Sequence, residues 1–257
     1  MAPPNDLQPL VDLLRGAHSA LIFTGAGIST RSNIPDFRGP QGVWSRRNPV
    51  YYQDFMGSEA MRVQYWEYKL EGYAAFRDAV PNAAHYAVAE LERQGRVESV
   101  VTQNIDGLHQ AAGTSRDKLI ELHGTNAEVE CVECGRRETP ERCMEEFARL
   151  RVPPRCHVCN GLMKPAVVMF GQALDPELLE RAKRSAERSD LVLALGSSLV
   201  VTPAANIPLF GAHRGVPYVI VNQGKTPHDL LATVLIDGDV AEVLPFAVSA
   251  LSPYGSS

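Results

Sequence analysis

No stretch of this 257-residue chain approaches the roughly 20 consecutive apolar residues of a membrane-spanning helix. The opening, "MAPPNDLQPLVDLLRGAHSA", lacks a charged segment followed by an apolar core, so it does not read as a signal peptide. Both absences predict a cytoplasmic protein with no membrane partner and with reduced thiols. Positive charge is in deficit: 25 Lys and Arg against 30 Asp and Glu leave a net charge of −5. A general nucleic-acid binder is therefore not expected. Internal repeats and low-complexity segments are also missing, which excludes a solenoid. Cysteine is sparse, at five, and in a reducing compartment those five need an explanation other than disulfides.

The balance of 45% apolar and 21% charged residues is that of an ordinary globular protein. The length suits one large domain, or one domain with an insertion. Leu7, Leu10, Val11 and Leu14 recur at helical spacing, predicting a helix over 7–15 that stops at Gly16. A strand over 19–24 follows. Residues 39–81 are less regular and rich in aromatics, among them Trp44, Tyr65, Trp66 and Phe76, and predict a small helical module. Burial in a core is the plain account of those rings. Asn82 caps a helix running to about Gln94, with Gly95 as its stop. Strands are expected over 97–102, 118–123, 191–195 and about 216–222, and helices over 175–190 and 240–251. Short apolar strands alternating with helices predict an α/β fold with a parallel sheet covered on both faces. Several strands end in polar loops, at Gly25, Gln103, His123, Gly196 and Asn222. Ligands of open α/β sheets bind beyond the carboxyl ends of the strands, so these loops are expected to converge on one site.

Four of the cysteines form two pairs, Cys131-x2-Cys134 and Cys156-x2-Cys159, with 21 residues between the pairs. Each pair can pinch a metal from a tight knuckle, and four thiolates satisfy tetrahedral Zn²⁺. The gap is slightly longer than the about 15–20 residues of many zinc ribbons. Gly135 and Gly161 follow the knuckles and are expected to ease the turns. Four thiolates leave no open coordination position, so the metal is read as structural. Cys143 lies in the helix-like run "PERCMEEFARL" and is read as a core thiol, and His157 as a spare ligand.

"GAGIST" after a strand exposes backbone N–H groups that can cradle a pyrophosphate. It is not the usual dinucleotide fingerprint, because Thr30 stands where the third glycine belongs. A hydride-transfer enzyme is therefore a poor fit. Taken in order, "GAGISTRSNIPDFRG", "TQNIDGLH", "ELHGT", the paired CxxC, "KPAVVMFGQ", "GSSLVVTPAANIP", "VNQGKTPHD" and "GDVAEVL" resemble the sirtuins, the NAD-consuming protein-lysine deacylases. The resemblance runs from about Leu7 to Leu244.

It implies a Rossmann-like, mostly parallel sheet with helices on both faces, plus a small zinc-ribbon and helical module. Residues 1–38, 82–126 and 165–257 would form the NAD-binding domain. Residues 39–81 and 127–164 would form the small domain. It implies an NAD pocket lined by Gly25, Ala26, Gly27, Asp36, Phe37 and Arg38, with Arg38 near phosphate and Phe37 over the nicotinamide ribose. Gln103 would contact that ribose. Asn104, Ile105 and Asp106 would form the nicotinamide pocket, with Asp106 accepting from the carboxamide. Gly196, Ser197 and Ser198 would hold phosphate, Asn222 the adenine ribose, and Val240 would lie against adenine. His123 would be the general base, with Asn104 and Asp106 also counted as catalytic. A histidine, with an ordinary pKa of about 6.5, suits proton transfer from a ribose hydroxyl near neutral pH. Products would be free lysine, nicotinamide and O-acyl-ADP-ribose.

The acylated-lysine peptide would bind as an extended strand between "VVMFG" and "SSLVV", which are read as strand-like edges. Val168, Phe170, Gly171 and Val200 would contact it, the Val168 carbonyl holding the acyl-lysine amide and Phe170 walling the lysine tunnel. The chain is expected to act as a monomer. Asn33 stands where the family usually has glycine, and asparagine tolerates positive φ. Gln172 replaces a usual glutamate, and Gln223 and Gly224 vary the adenosine loop. One branch of the family removes succinyl-type groups with a Tyr-x-x-Arg pair. The matching positions here are Trp66 and Lys69, so acetyl or apolar acyl groups are favoured. Asp106 could instead merely cap a helix starting at Gly107. Two other functions fit the same pocket: a protein mono-ADP-ribosyltransferase, and a non-catalytic zinc-bearing NAD sensor.

Overall fold

Six strands build one sheet, and their neighbours all run parallel. In chain order they are β1 (Ala20–Thr24), β2 (Val97–Thr102), β3 (Leu119–Glu121), β7 (Leu191–Leu195), β8 (Tyr218–Asn222) and β9 (Val234–Asp237). The spatial order is β3-β2-β1-β7-β8-β9. This is a computed structural model, and it describes residues 7–35 and 48–251.

Period-two alternation explains why the central strands are apolar throughout. Ile22, Val100, Leu193 and Val219 pack one face against α1 (Gln8–Gly16), α4 (Ala83–Arg93) and α9 (Val240–Ser249). Leu21, Phe23, Val192 and Ile220 face the other way, onto Ala182 and Ala186 of α7 (Pro176–Arg188) and onto α8 (Ile207–Ala212). Asn82 caps α4 as expected: its side chain accepts from the Ala84 N–H, and the His85 ring closes the box by accepting from the Asn82 N–H. Asp175 and Asp239 cap α7 and α9 in the same manner.

A second, antiparallel sheet carries the cysteines. Its strands β4 (Gly124–Cys131), β5 (Arg137–Glu138) and β6 (Met163–Val167) lie in the order β5-β4-β6. The helices α2 (Tyr52–Gly57), α3 (Glu59–Asp78) and α6 (Glu141–Leu150) surround it. Phe55, Tyr65, Trp66, Phe147 and Cys143 bury together there, as the aromatic content and the helix-like cysteine run led one to expect. A four-residue helix, α5 (Leu108–Ala111), follows β2.

Two expectations need correction. The segments around Val168–Phe170 and Ser197–Val200 are not strands: apart from the single bridge of Phe170 to Tyr51, they are irregular. Gly196 and Leu199 adopt φ of 59° and 54°, which breaks an extended run. Gly161 does not ease its turn by positive φ. Asn160 takes that conformation, at 61°, while Gly161 is needed because a Cβ would sit 2.8 Å from the Cys131 sulfur. Gly135 does adopt φ 70°.

Asn33 lies at φ 62° and ψ 20°, the left-handed region. Asn33→Gly is expected to keep stability within about 0.5 kcal/mol, whereas Asn33→Ala should cost about 1 kcal/mol in urea unfolding. Equal losses in the two variants would show that this backbone angle carries no cost.

Candidate active site

The order of strands reverses between β1 and β7, and the loops that leave these two strands meet at that switch point. The Gly27 N–H donates to the Gly196 carbonyl at 2.8 Å, and a Cβ on Gly27 would lie 2.8 Å from Gly196 Cα. A Cβ on Gly25 would lie 2.8 Å from the Gly196 carbonyl oxygen. Glycine is thus required for contact between the loops as well as for room around a ligand. After Gly25 the chain forms a 3-10 helix, Ala26–Ser32, rather than the long helix of a redox fingerprint.

The loop after β2 is tied to both of these. The Gln103 amide donates to Ser197 Oγ at 2.8 Å, and the Asn104 amide donates to the Gly25 carbonyl at 3.2 Å. The loop after β3 is tied in turn: His123 Nδ1 lies 2.9 Å from the Gln103 carbonyl oxygen. A carbonyl can only accept, so Nδ1 carries the hydrogen and the neutral ring keeps its basic lone pair on Nε2. The His123 carbonyl accepts from the Val168 N–H at 2.9 Å, which brings the end of β6 alongside.

These loops open on a cavity of about 1170 Å³. That exceeds the roughly 300–1,000 Å³ of a single small-ligand pocket, so two substrates have room. Gly25, Ala26, Gly27, Gln103, Asn104 and Ile105 line it. So do His123, Val168, Phe170 and Gly171, and Gly196, Ser197, Ser198 and Asn222. Three of the expected residues lie elsewhere. Val240 is 2% exposed and belongs to the core of the main sheet. Val200 is exposed beside its neighbour Val201, which does line the cavity. Asp106 borders a second cavity, of about 530 Å³. Asp36, Phe37 and Arg38 fall outside the described residues.

Asp106 does help to cap α5, since Oδ1 accepts from the Leu108 N–H at 3.0 Å. Its other oxygen, Oδ2, accepts from Ser29 Oγ at 2.7 Å. Burial raises this carboxyl above the ordinary range, and the Leu108 N–H, Ser29 and Asn104 oppose that rise. Glu121, at the end of β3, is pushed up to about 7 by burial, with Asp106 adding to the effect. Lys69 is pushed down to about 7 by burial, with Lys164 adding to it, and donates to the Asn126 side chain at 3.0 Å. It lines the second cavity rather than the large one, and Trp66 is fully buried in the core.

Sequence reasoning missed a layer of buried polar groups below the loops. Thr24 Oγ1 donates to Thr102 Oγ1 at 2.8 Å and lies 2.9 Å from His109 Nε2. The rings of His109 and His85 meet edge to face at 5.1 Å. Burial pushes His85 down to about 4 and His109 to about 3, so both are neutral. The cap at Asn82 was read without its third-position partner His85, and nothing in the sequence pattern pointed to the others.

The four paired cysteines converge. Their sulfurs lie within 4.8 Å of one another, with 3.4 Å between Cys131 and Cys159 and 3.8 Å between Cys134 and Cys156. Four Zn–S bonds of about 2.3 Å in a tetrahedron need sulfurs roughly 3.8 Å apart, so the set fits one zinc ion.

Residues 25–203 match the model of the Sir2 family. A relative from Haloarcula marismortui, an NAD-dependent protein deacetylase, is 42% identical over 249 residues, 95% of this chain and 94% of that one. The chain belongs to the Sir2 family. A solved structure described as Sir2 with a p53 peptide and NAD+ is 39% identical, with a TM-score of 0.87 over 96% of this chain and 98% of that one. Another Sir2 structure, with a deacetylated p53 peptide and 3'-O-acetyl ADP ribose, is 40% identical with a TM-score of 0.88 over the same shares. Among the described residues no helix is long and apolar enough to cross a membrane.

Two predictions follow from this geometry. Cys134→Ala should lose the zinc, about one ion per chain by elemental analysis, and lower Tm by more than about 5 °C. Unchanged zinc content would contradict a four-sulfur site. Separately, His85 and His109 are held neutral in the fold but protonate once unfolded, below about pH 6.5. The unfolded state then binds more protons, so stability falls as pH drops from about 6.5 towards about 4. Urea unfolding at about pH 7 and pH 5 reads this, and a His85→Gln, His109→Gln double variant should show a shallower decline.

Proposed function

We propose that this Sir2-family protein is an NAD-dependent protein-lysine deacylase, in the first instance a deacetylase. The observation that carries the reading is the tautomer of His123. Its Nδ1 hydrogen is committed to the Gln103 carbonyl, so Nε2 is left as the base within the cavity that the glycine loops border. A purely NAD-sensing pocket has no use for such a base. NAD, consumed as co-substrate, supplies a ribose carbon open to attack, nicotinamide as leaving group and ADP-ribose as acyl acceptor.

The chain's own residues position and move protons. Gly25, Ala26 and Gly27 present backbone to the pyrophosphate, with Gly196, Ser197 and Ser198 opposite. By the family's pattern Asp36, Phe37 and Arg38 also bind NAD. Gln103 orients the nicotinamide ribose. Asn104, Ile105 and Asp106 receive the nicotinamide. Asn222 holds the adenine ribose, and Val240 supports the adenine end from the core. Since a weak nucleophile, the acyl oxygen, must be set against one carbon, such positioning is the larger part of the catalysis. His123 Nε2 then takes a ribose hydroxyl proton.

The peptide lies extended between the segments holding Val168, Phe170 and Gly171 on one side and Val200 on the other. Its backbone would add to the hydrogen bonds of these irregular segments as an extended strand does at an edge. The Val168 carbonyl accepts from the acyl-lysine amide. Residues 1–38, 82–126 and 165–257 act as the NAD-binding domain, with 39–81 and 127–164 as the small domain. The protein works as a cytoplasmic monomer. Lys69 faces the second cavity and Trp66 is buried, so neither presents a polar fork to an acidic acyl group, and acetyl or apolar groups are preferred.

The test is incubation with NAD and acetyl-, succinyl- and long-acyl-lysine peptides, with products weighed by mass spectrometry. Free lysine peptide with O-acyl-ADP-ribose is expected; a protein gaining ADP-ribose indicates the transferase, and no product the sensor. His123→Ala should lower turnover by at least about 100-fold with an unchanged circular dichroism spectrum. Full activity in that variant, or fastest removal of succinyl, would overturn the base or the acyl preference respectively.

A further inference from the structure

Ser29 is the centre of the buried polar layer. Its Oγ lies 2.7 Å from Asp106 Oδ2, 3.1 Å from Asn104 Nδ2 and 3.4 Å from His85 Nε2. The direction of each bond can be worked out. An amide nitrogen only donates, so Asn104 donates to Ser29. His85 Nδ1 accepts from the Asn82 backbone N–H at 3.3 Å, so in the neutral ring the hydrogen sits on Nε2. Nε2 therefore donates to Ser29 as well. A hydroxyl has two acceptor lone pairs and one hydrogen. With both lone pairs taken, the remaining hydrogen goes to Asp106.

We propose that His85 is a positioning residue for the nicotinamide pocket: by donating to Ser29 it keeps the Ser29 hydrogen on Asp106 and holds Asp106 as an oriented carboxylate. This rests on the role given to Asp106 above. Burial of His85 supports it, since a protonated ring would place an N–H against the Asn82 N–H. The two nitrogens thus have separate tasks. Nδ1 completes the cap of α4, and Nε2 feeds Ser29.

Other charged or titratable groups surround this relay. His109 of α5 meets the His85 ring. Glu121 of β3 feels Asp106, and is itself acted on by Glu128 of β4 and by Arg116. Lys69 of α3 borders the same cavity as Asp106. Because burial raises Glu121 as well as Asp106, an activity profile alone would mix the two acids. The readout must be Asp106 itself.

The experiment is a carbon-13 NMR titration of side-chain carboxyls in the full chain, with the Asp106 signal assigned by its loss in Asp106→Asn. Asparagine reaches about as far as Nδ1 and keeps the cap; glutamine reaches about as far as Nε2 and keeps the relay. His85→Asn is expected to raise the Asp106 midpoint by about one pH unit, and His85→Gln to leave it within a few tenths. Ser29→Ala should raise it as His85→Asn does, and the two together no further. A purely structural histidine predicts the reverse, with His85→Gln the more disturbed. An unchanged midpoint in His85→Asn, or equal shifts in the Asn and Gln variants, overturns the relay. Ser29→Ala leaves the cap intact, so an unchanged midpoint there overturns it even if His85→Asn proves too unstable to titrate. The titration needs no catalysis. Full turnover by Asp106→Asn would instead refute the role of Asp106 while leaving the relay standing.

Discussion

The contact of backbone with backbone at the switch point fixes the geometry of everything around it. Gly25 and Gly27 on one loop and Gly196 on the other approach so closely that no side chain fits between them. That contact places the Gly25 carbonyl where the Asn104 amide reaches it, and Ser197 where the Gln103 amide reaches it. The Gln103 carbonyl in turn sets the His123 tautomer. Each link is a directed hydrogen bond between loops that leave neighbouring strands. A base is thereby oriented by the sheet, although it sits on a loop.

Much of the fold could be read from the sequence because its strands are buried on both faces. β1, β7 and β8 are unbroken apolar runs flanked by turn residues. The same reasoning passed over β9, a four-residue edge strand whose burial alternates. It also made strands of the segments near Val168 and Val200, where β-branched residues are plentiful. A strand needs a continuous partner as well as a composition; the first segment makes a single bridge, to Tyr51, and left-handed Gly196 and Leu199 break the second. The cysteine spacing was the most legible feature, since two knuckles of fixed size leave few arrangements other than a tetrahedral site.

The loops of the site were legible as motifs, and their roles entered through resemblance to a family. What the sequence could not indicate was the layer beneath. Ser29, His85 and His109 lie far apart in the chain, and each is an ordinary residue in its own segment. Their importance comes from burial without charge. A buried acid is costly unless donors surround it, and an acid raised by burial needs those donors aimed in fixed directions. Among the donors at Asp106 are Ser29 and the first turn of α5. The short helix therefore contributes an N–H, and its four residues need no stability of their own.

The donors around Asp106 bear on which ligand group could meet it. Oδ1 accepts from the Leu108 N–H and Oδ2 from Ser29. An acceptor in that position favours a ligand group that donates, such as the N–H₂ of a carboxamide. A carboxylate on the same ring would meet a carboxylate there charge to charge. Keeping His85 buried and neutral serves the fold directly, since its Nδ1 can then accept from the Asn82 N–H and close the cap of α4.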